Sequence, residues 1–237
     1  MKYLGNKQRI VKYILPIITG ALEKCQCYVE PFCGSCSVIQ RIPQDVRRIA
    51  NDNNRYLIAM WEALTNSGWK PPLLIPKDYY KQVRASYHAD DGKYDDALIG
   101  WVGFMASRNG RFYDGGYSGH DVAGRDYIDE NIRNIQAQIP YLRRIEWQSG
   151  DYSSMIIPKN SLIYCDPPYK DTTAYSTSRG FDYPRFYDWC RTKSKEGHTV
   201  FVSEYTMPPD FKPVWSKSVT VSVGNTTLHP TENLYRL

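Results

Sequence analysis

The stretch that decides the fold is Cys27-Tyr28-Val29-Glu30-Pro31-Phe32-Cys33-Gly34-Ser35-Cys36. Its apolar beginning predicts a buried strand over 27–32, and the small residues that follow predict a loop that leads into a helix. Before this stretch, apolar residues recur at helical spacing over 7–24. After it, a second strand is predicted over 46–50 and a helix over 56–64. This alternation of strands and helices predicts a parallel sheet with right-handed crossovers, and so an α/β fold.

The alternation stops over 67–145, where prolines interrupt the chain and helical patterns surround a Gly-rich polar loop. The helices predicted in this segment lie near 77–88, 94–107 and 126–139. The elements predicted after it are strands at 146–148, 161–165 and 199–203, a helix at 183–195, and a C-terminal hairpin of 214–223 with 232–237. We therefore predict one domain over 1–66 and 146–237, and a small, mostly helical inserted domain over 67–145.

The composition is typical of a soluble globular protein, with 42% hydrophobic and 23% charged residues among 237. A net charge of +5 permits an anionic partner, and 20 tyrosines suit stacking on planar groups without requiring it. No signal peptide is predicted, and the apolar stretch 14–22 is too short to cross a bilayer and is broken by Pro16. We expect a cytoplasmic protein with reduced cysteines and no membrane partner.

Four cysteines have a spacing that invites a zinc interpretation, because four thiolates satisfy tetrahedral zinc. They form two close pairs, Cys25 with Cys27 and Cys33 with Cys36. However, the run between the pairs predicts a strand where a zinc-binding turn would be needed. We therefore predict no metal.

The segment Asp166-Pro167-Pro168-Tyr169 is predicted to carry the chemistry. It follows a predicted buried strand, and the carboxyl ends of parallel strands line the crevice where open α/β sheets bind ligands. The two prolines have no N–H group, so the backbone there presents only carbonyl oxygens. An amine placed at this point meets the Asp166 carboxylate and the Pro167 carbonyl, while Tyr169 offers a ring for stacking. The alternative is a strand that ends in a Pro-Pro turn with a surface aspartate.

Two further elements predict a bound nucleotide-like ligand. In Glu30-Pro31-Phe32-Cys33-Gly34-Ser35, a strand runs into small residues that let the backbone approach a ligand closely. In Asn51-Asp52-Asn53, an acid follows the next strand at the position where nucleotide-binding folds hold ribose hydroxyls. The alternatives are a plain strand-to-helix turn for the first and a helix N-cap for Asp52.

In these motifs and their order, almost the whole chain resembles the Dam-type DNA adenine methyltransferases, in the arrangement with the recognition segment between the cofactor and catalytic halves. The resemblance implies a Rossmann-like methyltransferase fold that ends in a C-terminal β-hairpin. It also implies S-adenosylmethionine as the cofactor, with S-adenosylhomocysteine as its product, and direct methyl transfer to the N6 amine of a flipped adenine. The strand end Phe201-Val202-Ser203-Glu204-Tyr205 resembles a later motif of the same family.

The resemblance also implies the roles of individual residues. The catalytic residues would be Asp166, Pro167, Pro168 and Tyr169. The cofactor would be held by Tyr3, Gly5, Lys7, Glu30, Phe32, Gly34, Ser35, Asp52, Asn53, Asp151, Tyr152 and Asp166.

Recognition of double-stranded DNA is expected from the inserted segment. Its sharpest patch is Ser107-Arg108-Asn109-Gly110-Arg111-Phe112-Tyr113, where Arg108, Asn109, Arg111 and Tyr113 could contact bases or phosphates. The alternative is a solvated Gly-rich loop. The polar loop 170–181, with Tyr175 and Arg179, is a candidate lid over the flipped base. The family's pattern for the sequence GATC has no clear counterpart here, so GATC is not assigned.

Other functions stay open at the level of sequence. One is methylation of the exocyclic N4 amine of cytosine, which uses the same chemistry. A second is an RNA or protein-glutamine methyltransferase, and a third is a catalytically silent DNA-binding homologue. We expect a monomer or weak dimer in a bacterial or phage-infected cell, either paired with a restriction endonuclease encoded elsewhere or acting alone.

Overall fold

In the computed structural model, the described residues are 1, 3, 5–120, 124–170, 180–223 and 226–237. Seven strands form one sheet in the order β3-β2-β1-β4-β5-β9-β6. The strands are β1 Cys27–Glu30, β2 Arg47–Asp52, β3 Ile145–Ser149, β4 Ser161–Cys165, β5 Thr199–Glu204, β6 Lys212–Ser218 and β9 Thr231–Arg236, with β7 Val221–Val223 and β8 Thr226–Leu228 as a separate pair.

The first five strands of this sheet are parallel, whereas β9 runs antiparallel to both β5 and β6. The order of the parallel part, 3-2-1-4-5, is that of a doubly wound Rossmann-like sheet. From β1 the chain adds strands on one side and then, from β4, on the other side. Such sheets bind ligands at this point, between β1 and β4, where the strand order reverses. The predicted α/β, Rossmann-like fold with a C-terminal β-hairpin is therefore confirmed.

Six α-helices accompany the sheet in the described part of the chain. They are α1 Val11–Leu22, α2 Arg55–Asn66, α3 Lys77–Ala89, α4 Asp96–Ala106, α5 Tyr127–Gln138 and α6 Tyr183–Lys195. Helices α4, α5 and α6 each have an aspartate as N-cap. The aspartate side chain accepts a backbone N–H of the first turn, which would otherwise have no partner within the helix. Among these helices, none has the length and apolarity that crossing a bilayer requires.

Two predicted helical segments differ from the structure. The first helix begins at Val11 rather than at residue 7, because a separate 3₁₀ turn over Lys7–Arg9 precedes it. The helix expected after the first loop is replaced by a 3₁₀ turn over Ile39–Arg41. Only residues 37–42 lie between the small-residue turn and Pro43, and six residues make fewer than two α-helical turns.

The hydrophobic core lies on both faces of the sheet. One face packs under α1, α2, α4 and α5, and the other packs under α6. Helix α4 of the inserted segment lies directly on α2, and a Cβ at Gly100 would come within 2.1 Å of the Tyr56 carbonyl oxygen. The inserted segment therefore shares a core with the sheet, while its division as a separate domain stays a prediction.

Candidate active site

Four acidic residues mark the carboxyl ends of four parallel strands. Glu30 ends β1, Asp52 ends β2, Asp166 follows β4, and Glu204 ends β5. Because parallel strands end at one edge of the sheet, these side chains gather around the point between β1 and β4 where the strand order reverses. The topology alone thus assembles a negatively charged crevice.

A single buried lysine enters this crevice from the amino terminus. The Nζ atom of Lys7 lies 2.7 Å from Asp166 Oδ1 and 3.5 Å from Glu232 Oε1, and it donates to the Gly5 carbonyl at 3.3 Å. The same ammonium lies 4.4 Å from the centre of the Tyr169 ring, a cation–π distance. Burial by itself would lower the pKa of Lys7, but the two carboxylates outweigh this effect and raise it. Lys7 therefore stays charged.

The Tyr169 ring is held from several directions. Its hydroxyl donates to Glu232 on β9, and its ring meets that of Tyr205 edge-on at 4.8 Å. The next backbone N–H, that of Lys170, donates to the Glu204 carboxylate at 3.0 Å. Because Pro167 and Pro168 restrict the backbone before it, the ring has a defined orientation at the mouth of the crevice.

Three acids at the strand ends, Asp166, Glu204 and Glu30, have raised pKa values, which burial causes in each case. Burial raises the pKa of Asp166 to about 6, and the Lys7 ammonium opposes that rise. Burial raises the pKa of Glu204 to about 7 and that of Glu30 to about 8. Glu30 also accepts a hydrogen bond of 2.7 Å from the Tyr28 hydroxyl. Of these three, Asp166 is consequently the carboxylate most available as a charged acceptor at neutral pH.

The loop after β1 turns at Gly34, where the Tyr3 ring approaches the backbone closely. Gly34 has φ +45°, and a Cβ there would come within 2.9 Å of the Tyr3 ring. The Gly34 N–H donates to one oxygen of Asp52 at 3.1 Å, and the Asn54 N–H donates to the other at 3.0 Å. A carboxylate can accept about four hydrogen bonds, so Asp52 keeps capacity for hydroxyl groups. The side-chain cap of α2 is Asn54 rather than Asp52.

An aromatic cluster lies beside this loop. Phe32 and Tyr152 have ring centres 5.3 Å apart, and both contact Phe181 and Phe186. Tyr152 is 6% exposed, and its hydroxyl has no hydrogen-bond partner among the described residues. A buried hydroxyl without a partner is costly, which makes it a candidate for binding a polar ligand.

Three other residues that are predicted to hold the cofactor do not take part in the contacts described above. Asp151 pairs with Arg185 at 3.0 Å on the surface. Burial by itself would raise the pKa of Asp151, but its bonds from Ser153 and Arg185 lower it. The Ser35 hydroxyl hydrogen-bonds that of Ser37 at 2.7 Å, and Asn53 is exposed. Ser35 is buried, whereas Asp151 and Asn53 are accessible to solvent, and the roles of all three stay predictions.

The residues predicted to contact DNA fall into three groups. Arg108, Asn109 and Arg111 are exposed, and neither arginine forms an ion pair in the described part of the chain. Tyr113 is 1% exposed and donates its hydroxyl to the Ile99 carbonyl at 2.9 Å, so it is a core residue rather than a contact surface. Tyr175 and Arg179, with the rest of the predicted lid over 171–179, lie outside the described residues.

Two residues of the crevice were not predicted from sequence. Glu204 lies in the strand-end motif 201–205 and has no predicted role there, although its position at the end of a buried strand is a usable signal. Glu232 lies on β9, and only the pairing of β9 with β5 and β6 brings it to Lys7. The predicted C-terminal hairpin accounts for the pairing of β9 with β6, but no pattern in the sequence indicates that β9 pairs with β5.

The four cysteines considered for zinc lie in different parts of the core. Cys27 belongs to the core under α6, whereas Cys33 and Cys36 belong to the opposite one. Burial raises the pKa of the Cys33 thiol well above its usual range, which keeps it protonated. Among the residues that the structure describes, no group of three or more potential metal ligands occurs.

Comparison with known families bears on this geometry. Residues 3–98 match the family described as D12 class N6 adenine-specific DNA methyltransferase. This match supports an adenine-specific DNA methyltransferase. The matched part contains the Gly34 loop, Asp52 and Lys7, but it ends inside α4 and does not reach Asp166. The Dam-type arrangement of the halves stays a prediction.

A solved structure also matches, that of SMU.472, a protein described as a methyltransferase, in complex with SAH. The identity is 12% and the TM-score 0.32, over 98% of this chain and 54% of the other. This chain thus spans about half the length of that protein. A likeness at this level carries no argument about the site.

Proposed function

We propose that the protein transfers a methyl group from S-adenosylmethionine to the N6 amine of adenine in double-stranded DNA. The observation that carries this proposal is Asp166-Pro167-Pro168-Tyr169 at the end of the central strand β4, with Asp166 bound to the buried Lys7. The family match over residues 3–98 supports adenine rather than cytosine as the target base.

The catalytic residues are acceptors for the two N–H groups of the target amine. The Asp166 carboxylate is one acceptor and the Pro167 carbonyl is the other, because the two prolines leave no competing N–H donor there. An amine that donates both hydrogens draws its lone pair out of conjugation with the ring. Its nitrogen then bonds to the methyl carbon while the carbon–sulfur bond breaks, and the cationic amine afterwards releases a proton.

The charge of Asp166 stabilises this transition state. Positive charge develops on the amine during transfer, and a carboxylate at about 4 Å with an effective dielectric near 20 contributes ~4 kcal/mol. Lys7 compensates part of the negative charge of Asp166 and Glu232 before substrate binds. The crevice therefore keeps a net negative charge, partly compensated by Lys7, for a cationic reaction centre.

The cofactor-binding residues fit S-adenosylmethionine in three respects. When bound, it would supply an electrophilic methyl group on a cationic sulfur and leave as S-adenosylhomocysteine. The Gly34 loop offers close backbone approach, and Asp52 has spare acceptor capacity for ribose hydroxyls. Phe32 and Tyr152 offer rings for the adenine moiety, and the unpaired Tyr152 hydroxyl offers a polar contact.

Recognition requires that the adenine leave the duplex, at a cost of a few kcal/mol. Stacking on Tyr169 returns about 1–3 kcal/mol of that cost. The exposed Arg108, Asn109 and Arg111 are the side chains of the inserted segment that we assign to contacts with the flanking DNA.

The test is to incubate plasmid DNA with the protein and S-adenosylmethionine, and to map the modified bases by single-molecule sequencing. We expect N6-methyladenine at one recurrent sequence, and none with the Asp166→Ala variant. That variant should still bind duplex DNA, which separates a chemical defect from unfolding. Methylated cytosine, or near-normal turnover by Asp166→Ala, would overturn the assignment.

A further inference from the structure

A basic and aromatic patch lies at the junction of α1 and β6, outside the crevice and the inserted segment. Tyr13 of α1 stacks on Trp215 of β6, with ring centres 6.0 Å apart and planes at 20°. The Nζ atom of Lys217 lies 3.8 Å from the centre of the Tyr13 ring, and that of Lys12 lies 4.9 Å from it. Two ammonium groups from different elements thus converge on one ring.

The positive charge of this patch is not neutralised by a carboxylate. Among the described residues, neither Lys12 nor Lys217 forms an ion pair, whereas Lys81 and Lys193 each pair with a nearby acid. The pKa of the exposed Tyr13 hydroxyl is lowered, chiefly by the nearby ammonium group of Lys217 and then by that of Lys12. A positive potential therefore concentrates at a solvent-facing hydroxyl, which suits an anion.

The patch lies next to the proposed catalytic residues. In the antiparallel pair of β6 and β9, Lys217 is the register partner of Glu232, and side chains opposite each other in such a pair lie on the same face. Glu232 accepts the hydroxyl of Tyr169 inside the crevice. Helix α1 begins four residues after Lys7. The patch is consequently at the rim of the crevice, one strand away from it.

We propose that Lys12, Tyr13 and Lys217 bind a backbone phosphate of the DNA strand that carries the flipped adenine. A flipped nucleotide stays joined to its neighbours, so phosphates must pass the rim of the crevice where the patch lies. Two ammonium groups and one hydroxyl can donate to the same phosphate, and phosphate contacts fix the position of a duplex without reading its sequence. The inference rests on the proposed function for its choice of DNA.

The experiment measures duplex binding by fluorescence anisotropy at several salt concentrations, with Lys12→Ala and Lys217→Ala combined in one variant. Each lost phosphate contact reduces the slope of log affinity against log salt by about 1, and both lysines are assigned to the same phosphate, so the slope should fall by about 1. We expect an affinity about tenfold weaker at 0.1 M salt, equally for duplexes of different sequence. In turnover assays, the loss should appear in KM for DNA more than in kcat.

The matched control is Lys212→Ala. Lys212 is exposed on the same strand, but its ammonium donates to the Pro209 carbonyl at 2.8 Å and lies outside the patch. We therefore expect the variant to bind duplex DNA with wild-type affinity and a wild-type salt slope. A second variant, Tyr13→Phe, keeps the stacked ring and removes one donor, and should weaken binding about threefold with an unchanged slope. If the double variant binds like Lys212→Ala, the patch is not a phosphate site.

Failure of the patch and failure of the proposed function give different results. If the wild-type protein methylates DNA and the double variant binds normally, only the patch is wrong. If the wild-type protein methylates no adenine in DNA, the proposed function is wrong, whatever the binding slopes are. A wild-type protein that binds duplex without a measurable salt dependence would also overturn the patch.

Discussion

The crevice at the strand ends and the loop 107–117 of the inserted segment are both assigned to the same substrate, yet they are built in opposite ways. In the crevice, Lys7, Asp166 and Glu232 are largely buried and bound to one another. In the loop, Arg108 and Arg111 are exposed and form no ion pair within the described structure. The first region is fixed before substrate arrives, and the second is free to adapt to it.

This difference follows from what each region must do. Methyl transfer needs acceptors that do not reorient during the reaction, and buried, paired charges supply that rigidity. Reading a duplex needs side chains that exchange water for base edges or phosphates at little cost, which exposed arginines do well. The effect of a substitution should therefore be large on kcat in the crevice and modest on DNA affinity in the loop.

The largest effect is expected for Asp166→Asn. The amide keeps the shape but loses the charge that stabilises a cationic amine, which is worth ~4 kcal/mol, so kcat should fall about 1,000-fold. In the wild type, activity should decline as pH falls through about 6, because Asp166 becomes protonated there. The residual activity of the variant should lack this decline. Rates within tenfold of wild type would contradict the role of the charge.

A smaller effect is expected for Glu232→Gln. Glutamine still accepts the Tyr169 hydroxyl but no longer carries a charge, which weakens that bond by roughly 1–1.5 kcal/mol and should reduce kcat about tenfold. Glu232 also raises the pKa of Asp166, so its neutralisation should move the acidic limb of the activity profile to lower pH. A merely structural residue would not move that limb. An unshifted profile with reduced kcat would therefore exclude the positioning role.

The two regions also differ in how well their residues can be predicted from the sequence. Local patterns were sufficient for α6, whose predicted bounds 183–195 are confirmed, and for the strand 161–165 that precedes Asp166. They were not sufficient for Glu232, because its contact with Tyr169 depends on pairing between segments 63 residues apart. They also misplaced Tyr113, since an aromatic residue beside two arginines looks the same in sequence whether it is buried or exposed.

The smallest effect is expected in the loop, for Arg108→Ala and Arg111→Ala tested singly. Each removes one contact that is made only with DNA, so duplex affinity should fall about fivefold, which corresponds to the lower end of a base or phosphate contact. The matched control is Arg84→Ala on α3, an exposed arginine of the same segment that we assign to no contact.

Binding to duplexes that carry the methylated sequence and to scrambled duplexes then separates base reading from phosphate binding. An arginine that reads a base loses discrimination between them, whereas one that binds a phosphate loses affinity for both equally and reduces the salt slope by about 1. If either substitution reduced kcat as strongly as Glu232→Gln, the separation between a rigid catalytic crevice and an adaptable recognition loop would not hold.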